Sequence, residues 1–158
     1  MIKMRDAMRA IEKYRGDAVV ITVMTAGRGW PEISHNEKLD LPMSGCMGKG
    51  SSLGLGIALA SPGKKVIVFD GDGSILTNLG TLVTVAQSEA KNFYHIVLEN
   101  GIYAITGGQP IPGEGKMNFA ALAKAAGYAA AFEFDNLEDL ASQAREVFQT
   151  RGPVLVCL

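Results

Sequence analysis

Cysteine is scarce in this 158-residue chain, where Cys46 and Cys157 are the two present. Two such residues make neither a disulfide framework nor a cysteine-ligated metal site. Excess charge is missing as well: the formal net charge is −1 and the isoelectric point is about 6.1. A balance of that kind offers no general attraction for nucleic acid. No apolar run approaches bilayer length, which speaks against a membrane role. Charged residues interrupt the first stretch throughout, unlike the pattern of a secretory leader, so a cytoplasmic protein is expected. There is no internal repeat, low-complexity tract or linker, and the length suits one domain spanning 1–158. Hydrophobic residues make up 47% of the chain, enough for an adequate core.

What is abundant is glycine, at 19 residues, and its placement is informative. Lys65-Val66-Ile67-Val68-Phe69 has the character of a buried strand, and Asp70-Gly71-Asp72-Gly73-Ser74 leaves its carboxyl end. Residues 77–90 carry a helical pattern with Leu79, Leu82, Val83, Val85 and Ala86 on one side. A second apolar run over 93–98 stops at Glu99-Asn100-Gly101. Strand, helix, strand is a right-handed crossover, so the two strands lie parallel and their carboxyl ends share one sheet edge. Asp72 and Asn100 therefore converge although 28 positions separate them. A carboxylate and an amide oxygen, with glycines allowing close backbone approach, suit a hard cation holding a diphosphate.

Other glycine motifs fit poorly. A calcium loop starting at Asp70 would need Gly and Glu where Ile75 and Thr81 stand. In Gly45-Cys46-Met47-Gly48-Lys49-Gly50-Ser51 the lysine is followed by glycine rather than Ser or Thr, so it is not a phosphate-binding P-loop. A dinucleotide fingerprint from Gly71 would need a third glycine where Leu76 stands.

Elsewhere, helices are expected over 3–14, 50–59, 119–126 and 137–148, and strands over 18–24, 129–134 and 153–158. Strands alternating with helices predict an α/β fold: a doubly wound, mainly parallel sheet with helices on both faces. The small residues of 48–56 lower helix propensity but let that helix approach a neighbour closely. The loops at 25–29 and 106–115 emerge near strand ends, where binding loops belong. Arg28, Trp30 and His35 follow the first strand, where they either reach a bound anion or make surface or subunit contacts. His95, inside an apolar strand, fits a hydrogen-bonded core histidine better than a catalytic base.

The Gly71-Asp72-Gly73 to Asn100 pair resembles the diphosphate-binding (PP) domain of thiamine-diphosphate-dependent enzymes, and the resemblance runs from about Val19 to Leu158. Asn100-Gly101-Ile102-Tyr103 and Thr106-Gly107-Gly108-Gln109-Pro110 most resemble the small-subunit (beta) sulfopyruvate and phosphonopyruvate decarboxylases; Glu99, where many members have Asn or Asp, departs from the pattern. The resemblance implies that Asp72, Asn100 and the Ile102 carbonyl bind Mg²⁺ and that the Gly73 and Ser74 N–H groups face the diphosphate. It likewise places the Gly45 carbonyl on the 4′-amino group, the Met47 N–H on the pyrimidine ring, and Thr106 among the cofactor contacts. The Met47 side chain, the one catalytic residue it assigns here, wedges between the rings and enforces the bent conformer. The family also needs a glutamate from a pyrimidine-binding (PYR) domain, and Glu32, Glu37 and Glu99 match no position for it. The expectation is a thiamine diphosphate- and Mg-binding subunit of a two-subunit 2-oxo acid decarboxylase, paired with a PYR subunit in an α₂β₂ or larger hetero-oligomer. A helix complete before the first strand favours a separately encoded subunit over an excised fragment. An acetolactate-synthase-like carboligase and a non-catalytic cofactor-binding protein are the alternatives.

Overall fold

In the computed structural model, residues 2–158 are described. The elements are α1 (Met4–Glu12), β1 (Val19–Val23), α2 (Ala26–Gly29), β2 (Asp40–Met43), α3 (Gly50–Ala60), β3 (Val66–Gly71), α4 (Asp72–Leu76), α5 (Thr81–Ser88), β4 (Phe93–Leu98), β5 (Ile102–Tyr103), β6 (Gln109–Pro110), α6 (Phe119–Ala126), β7 (Ala130–Glu133), α7 (Leu137–Gln149) and β8 (Val154–Cys157). Six strands form one sheet in the order β2-β1-β3-β4-β8-β7, and every neighbouring pair is parallel. The expected doubly wound α/β sheet is the fold observed.

The central strands are apolar on both faces because both are covered. Ile67 and Phe69 join a core with Ala7, Met8 and Ile11 of α1 and Leu140, Val147 and Phe148 of α7. Val66 and Val68 face the other way, toward Leu55 and Ala58 of α3, Leu82 and Val85 of α5 and Ala123 of α6. Asn118 and Asn136 cap α6 and α7 by accepting the N–H groups of Ala121 and Asp139.

Four details depart from expectation. Residues 40–43 form a sixth parallel strand, β2, at the sheet edge, and residues 102–103 and 109–110 make a short antiparallel hairpin. The helical pattern over 77–90 splits: α4 begins at Asp72 itself, and α5 begins only at Thr81. Between them Thr77 Oγ1 donates to the Ser74 carbonyl and Thr81 Oγ1 to the Asn78 carbonyl. Such side-chain bonds compete with the helical ladder and suit the break between α4 and α5. Val83, placed with the buried residues by its periodicity, is 60% exposed.

The glycines of α3 serve the protein's own sheet. A Cβ at Gly54 would lie 2.5 Å from Val68 Cγ2 and 2.9 Å from the Phe93 ring, and one at Gly50 would collide with Val23. Gly56 has open space around it.

Candidate functional site

A cavity of about 260 Å³ opens at the carboxyl ends of β1, β3 and β4 and is lined by residues that include Met24, Thr25, Met47, Asp72, Gly73, Ser74, Asn100, Ile102, Tyr103 and Thr106. β1 and β3 are sheet neighbours whose outward connections run in opposite directions. That is the switch point at which open α/β sheets receive ligands.

The crossover brings its two ends together as their spacing predicts. Asp72 is 2% exposed, and its Oδ2 accepts the N–H groups of Asn100 at 2.8 Å and Gly101 at 2.6 Å. Its Oδ1 accepts the Gly73 N–H at 2.7 Å. A carboxylate has roughly four lone-pair positions, so one remains for a cation. Asn100 Oδ1 accepts the Ile102 N–H at 2.9 Å and keeps a second lone pair. Ile102 and Pro110 face each other as a non-hydrogen-bonded pair, since the Ile111 N–H donates to the Gly101 carbonyl, so the Ile102 carbonyl is left outside the hairpin's ladder. One carboxylate, one amide oxygen and one carbonyl therefore fit a hard divalent cation. Among the described residues no group of three or more His, Cys, Asp and Glu side chains is arranged for a metal.

Gly73 meets a close neighbour: a Cβ there would stand 2.7 Å from the Tyr103 ring. Ser74 Oγ accepts the Gly48 N–H at 2.9 Å, and Asn78 Nδ2 donates to the Gly48 carbonyl at 2.8 Å. These bonds tie the 44–49 turn to α4. Met47 lines the cavity, whereas Gly45 is exposed and lies outside the lining. Thr106 is exposed on the rim, its hydroxyl bonded to Tyr103 and Gln109 within the same loop.

Beneath Asp72, Asp70 Oδ2 lies 3.3 Å from His95 Nε2, both residues fully buried. His95 is thus the hydrogen-bonded core residue its setting suggests. Glu99 lines the cavity on the Asn100 side. Burial pushes its carboxyl up, the Cys157 thiol opposes this by donating to it, and Asp72, Glu133 and Asp135 add to the rise. Burial also pushes the Cys157 thiol far up, with Glu99 contributing.

The segment after β1 is helical rather than a loop. Trp30 is 1% exposed and packs its ring against Phe69 at 5.0 Å. Arg28 is exposed and absent from the cavity lining, and His35 pairs with Glu12 at 3.2 Å. Met24 and Thr25 take the place expected of those residues. Met24 escaped the sequence reading because its position depends on an unusual backbone angle that no local pattern announces.

Fold and site together define an α/β cofactor domain with hard oxygen donors at the switch point of its sheet. The chain belongs to the family described as thiamine pyrophosphate enzyme, C-terminal TPP binding domain, which matches residues 22–158. It is 37% identical over 152 residues to phosphonopyruvate decarboxylase of Streptomyces viridochromogenes, covering 95% of this chain and 37% of that protein. It is 42% identical over 113 residues to sulfopyruvate decarboxylase subunit beta of Methanothermobacter thermautotrophicus, covering 67% of this chain and 58% of that subunit. Acetolactate synthase isozyme 1 large subunit of Escherichia coli is 30% identical over 127 residues, covering 71% of this chain and 21% of that one. The chain thus spans between about a third and three fifths of the length of the decarboxylases named here. A solved chain from Mycobacterium smegmatis, assigned as a thiamin diphosphate-dependent enzyme, superposes with a TM-score of 0.81 at 19% identity, covering 99% of this chain and 31% of that one. That likeness concerns the fold. No helix among the described residues is long and apolar enough to cross a membrane.

Proposed function

We propose that this chain is the diphosphate-binding subunit of a thiamine diphosphate- and Mg²⁺-dependent 2-oxo acid decarboxylase of the sulfopyruvate or phosphonopyruvate kind, working in the cytoplasm as a single PP domain. The observation that carries this reading is the convergence of Asp72, Asn100 and Ile102 on one cavity at the switch point. The names of the relatives support the decarboxylase class, and the designation "subunit beta" of one of them supports a hetero-oligomer.

In this reading Asp72, Asn100 and the Ile102 carbonyl hold the metal, and the Gly73–Ser74 backbone faces the diphosphate. Gly45 and the Met47 N–H orient the aminopyrimidine, the Met47 side chain sets the bend, and Thr106 closes the rim. When bound, thiamine diphosphate supplies a nucleophilic thiazolium carbon and an electron sink for the pair released as carbon dioxide leaves. The proton relay at the pyrimidine needs a glutamate from elsewhere. Glu99 sits beside Asn100, on the diphosphate side, with the Cys157 thiol bonded to it. A PYR-domain subunit, in an α₂β₂ or larger assembly, provides that glutamate.

The test is carbon dioxide release from sulfopyruvate, phosphonopyruvate and pyruvate, with Mg²⁺ and thiamine diphosphate, by the purified chain alone and with its PYR partner. Release only with the partner is the expected result. Equal release without it would overturn the split site, and failure of the chain to bind the cofactor in either setting would remove the reading. Likeness to the acetolactate synthase large subunit favours carboligation as the second reading, and acetolactate formed from pyruvate would establish it. Binding with no turnover in any assembly would leave a non-catalytic cofactor-binding protein.

A further inference from the structure

Met24 is held in the left-handed region, with φ of 53°. That conformation crowds an L side chain against its own carbonyl and is uncommon outside glycine, Asn and Asp. Glu89 is the other non-glycine residue with positive φ among those described, at 51°, and it has an ordinary reason: it ends α5. Met24 has no such reason, since it follows the last residue of β1 at the mouth of the cavity. Three contacts enforce the angle. The Met24 N–H donates to the Met43 carbonyl at 2.9 Å, the Met24 carbonyl accepts the Gly27 N–H at 3.1 Å, and Met24 Sδ accepts the Gly45 N–H at 3.2 Å.

The third contact is the informative one. The turn at 44–46 is exposed, and a thioether reaching across from β1 takes up the N–H of its central glycine. Strain that persists at a cavity mouth signals a position whose side chain is required there. We propose that Met24 is a positioning residue: its sulfur anchors the Gly45 turn, and its side chain forms part of the wall that receives the pyrimidine half of the cofactor. This deepens the thiamine diphosphate reading and rests on it. Asp72 and Asn100 are held by hydrogen bonds to each other and to Gly73, Gly101 and Ile102, so on this proposal the diphosphate half keeps its own anchor when Met24 is changed.

The experiment compares wild type, Met24→Gly and Met24→Leu in the PYR-containing complex, using two probes with Mg²⁺, thiamine diphosphate and inorganic pyrophosphate, by calorimetry. Glycine relieves the backbone and removes the wall and the sulfur; leucine keeps the bulk and removes the sulfur. For Met24→Gly we expect tenfold or greater loss of thiamine diphosphate affinity and pyrophosphate affinity within about twofold of wild type. Its melting temperature should lie within about 3 °C of wild type, because strain relief offsets lost packing. Met24→Leu should lose a few-fold in thiamine diphosphate affinity alone. Equal losses for both probes, or unchanged thiamine diphosphate affinity in both variants, would overturn the proposal, and so would melting lowered by 8 °C or more with affinities intact. If wild type binds neither probe, the thiamine diphosphate reading itself fails, an outcome distinct from either of these.

Discussion

Asp72 is 2% exposed and receives three backbone N–H groups, whereas Ser44, Gly45 and Cys46 are all exposed, and their turn is tied down by Gly45 to Met24 and, further on, by Gly48 to Ser74 and Asn78. Both lie at the same sheet edge. The first is organised by one strand–helix–strand unit whose strands pair along six registered positions. The second follows an edge strand, β2, with one neighbour in the sheet. On the proposed function, the contrast teaches that anchoring and alignment are separable: the edge assigned to the metal is built by the chain's own backbone, and the edge assigned to the pyrimidine is an exposed turn.

The harshest way to break the comparison is Asp72→Ala, which should abolish Mg²⁺-dependent thiamine diphosphate binding in calorimetry, with Asn100→Ala losing at least a hundredfold. Because Asp72 is buried and serves three donors, its replacement also leaves N–H groups unpaired. We expect a stability loss of about 1–3 kcal/mol, whereas Asn100, which is exposed, should change stability little. Next, Met47→Ala should lower turnover of the assembled enzyme by ten- to a hundredfold while cofactor affinity changes by less than about threefold. Comparable losses in both would place Met47 with the anchor. Third, His95→Leu leaves the Asp70 carboxylate buried without its partner, and should destabilise the chain by about 3 kcal/mol, read as the midpoint of urea unfolding. Met47→Ala should cost under about 1 kcal/mol by the same measurement. Similar losses in the two would mean the edges are equally rigid.

The mildest test is chemical. Cys46 is exposed and Cys157 buried, and burial holds the Cys157 thiol protonated far above neutrality. Since the folded chain favours that proton, raising the pH to 9 should not switch on alkylation of Cys157. Native labelling with iodoacetamide, followed by mass analysis, should find Cys46 modified and Cys157 modified only in denaturant.

Much of this arrangement was legible from residue pattern. β1, β3, β4 and β8 are legible because burial on both faces leaves a continuous apolar run, and β7, a half-buried edge strand, is legible from its place between two helical segments. Asp72 and Asn100 were found because a crossover constrains where two strand ends must lie. β2 escaped because Asp40-Leu41-Pro42-Met43 is short and carries a charge and a proline, features of an edge rather than a core strand. The break after Leu76 escaped because Thr77 follows the end of α4 and Thr81 opens α5, each with a hydroxyl bonded to a carbonyl three residues back, and apolar spacing does not record those bonds. Trp30 was weighed as a surface or ligand residue because its partner, Phe69, is remote in the chain. Met24 was invisible for a related reason, two of its three contacts, with Met43 and Gly45, being remote in the chain.

Gly50 and Gly54 carry a consequence for how this protein tolerates change over generations. Any side chain at position 54 meets Val68 and Phe93 within 3 Å, so drift on that row of α3 is closed. The outward row, Ser52, Leu53, Gly56, Leu59 and Ala60, is exposed, and a Cβ at Gly56 would meet open space. Variation on this helix is therefore channelled to the face that another subunit would meet. A lineage can alter that outward face one residue at a time while the sheet beneath and the Asp72 strand end stay as they are.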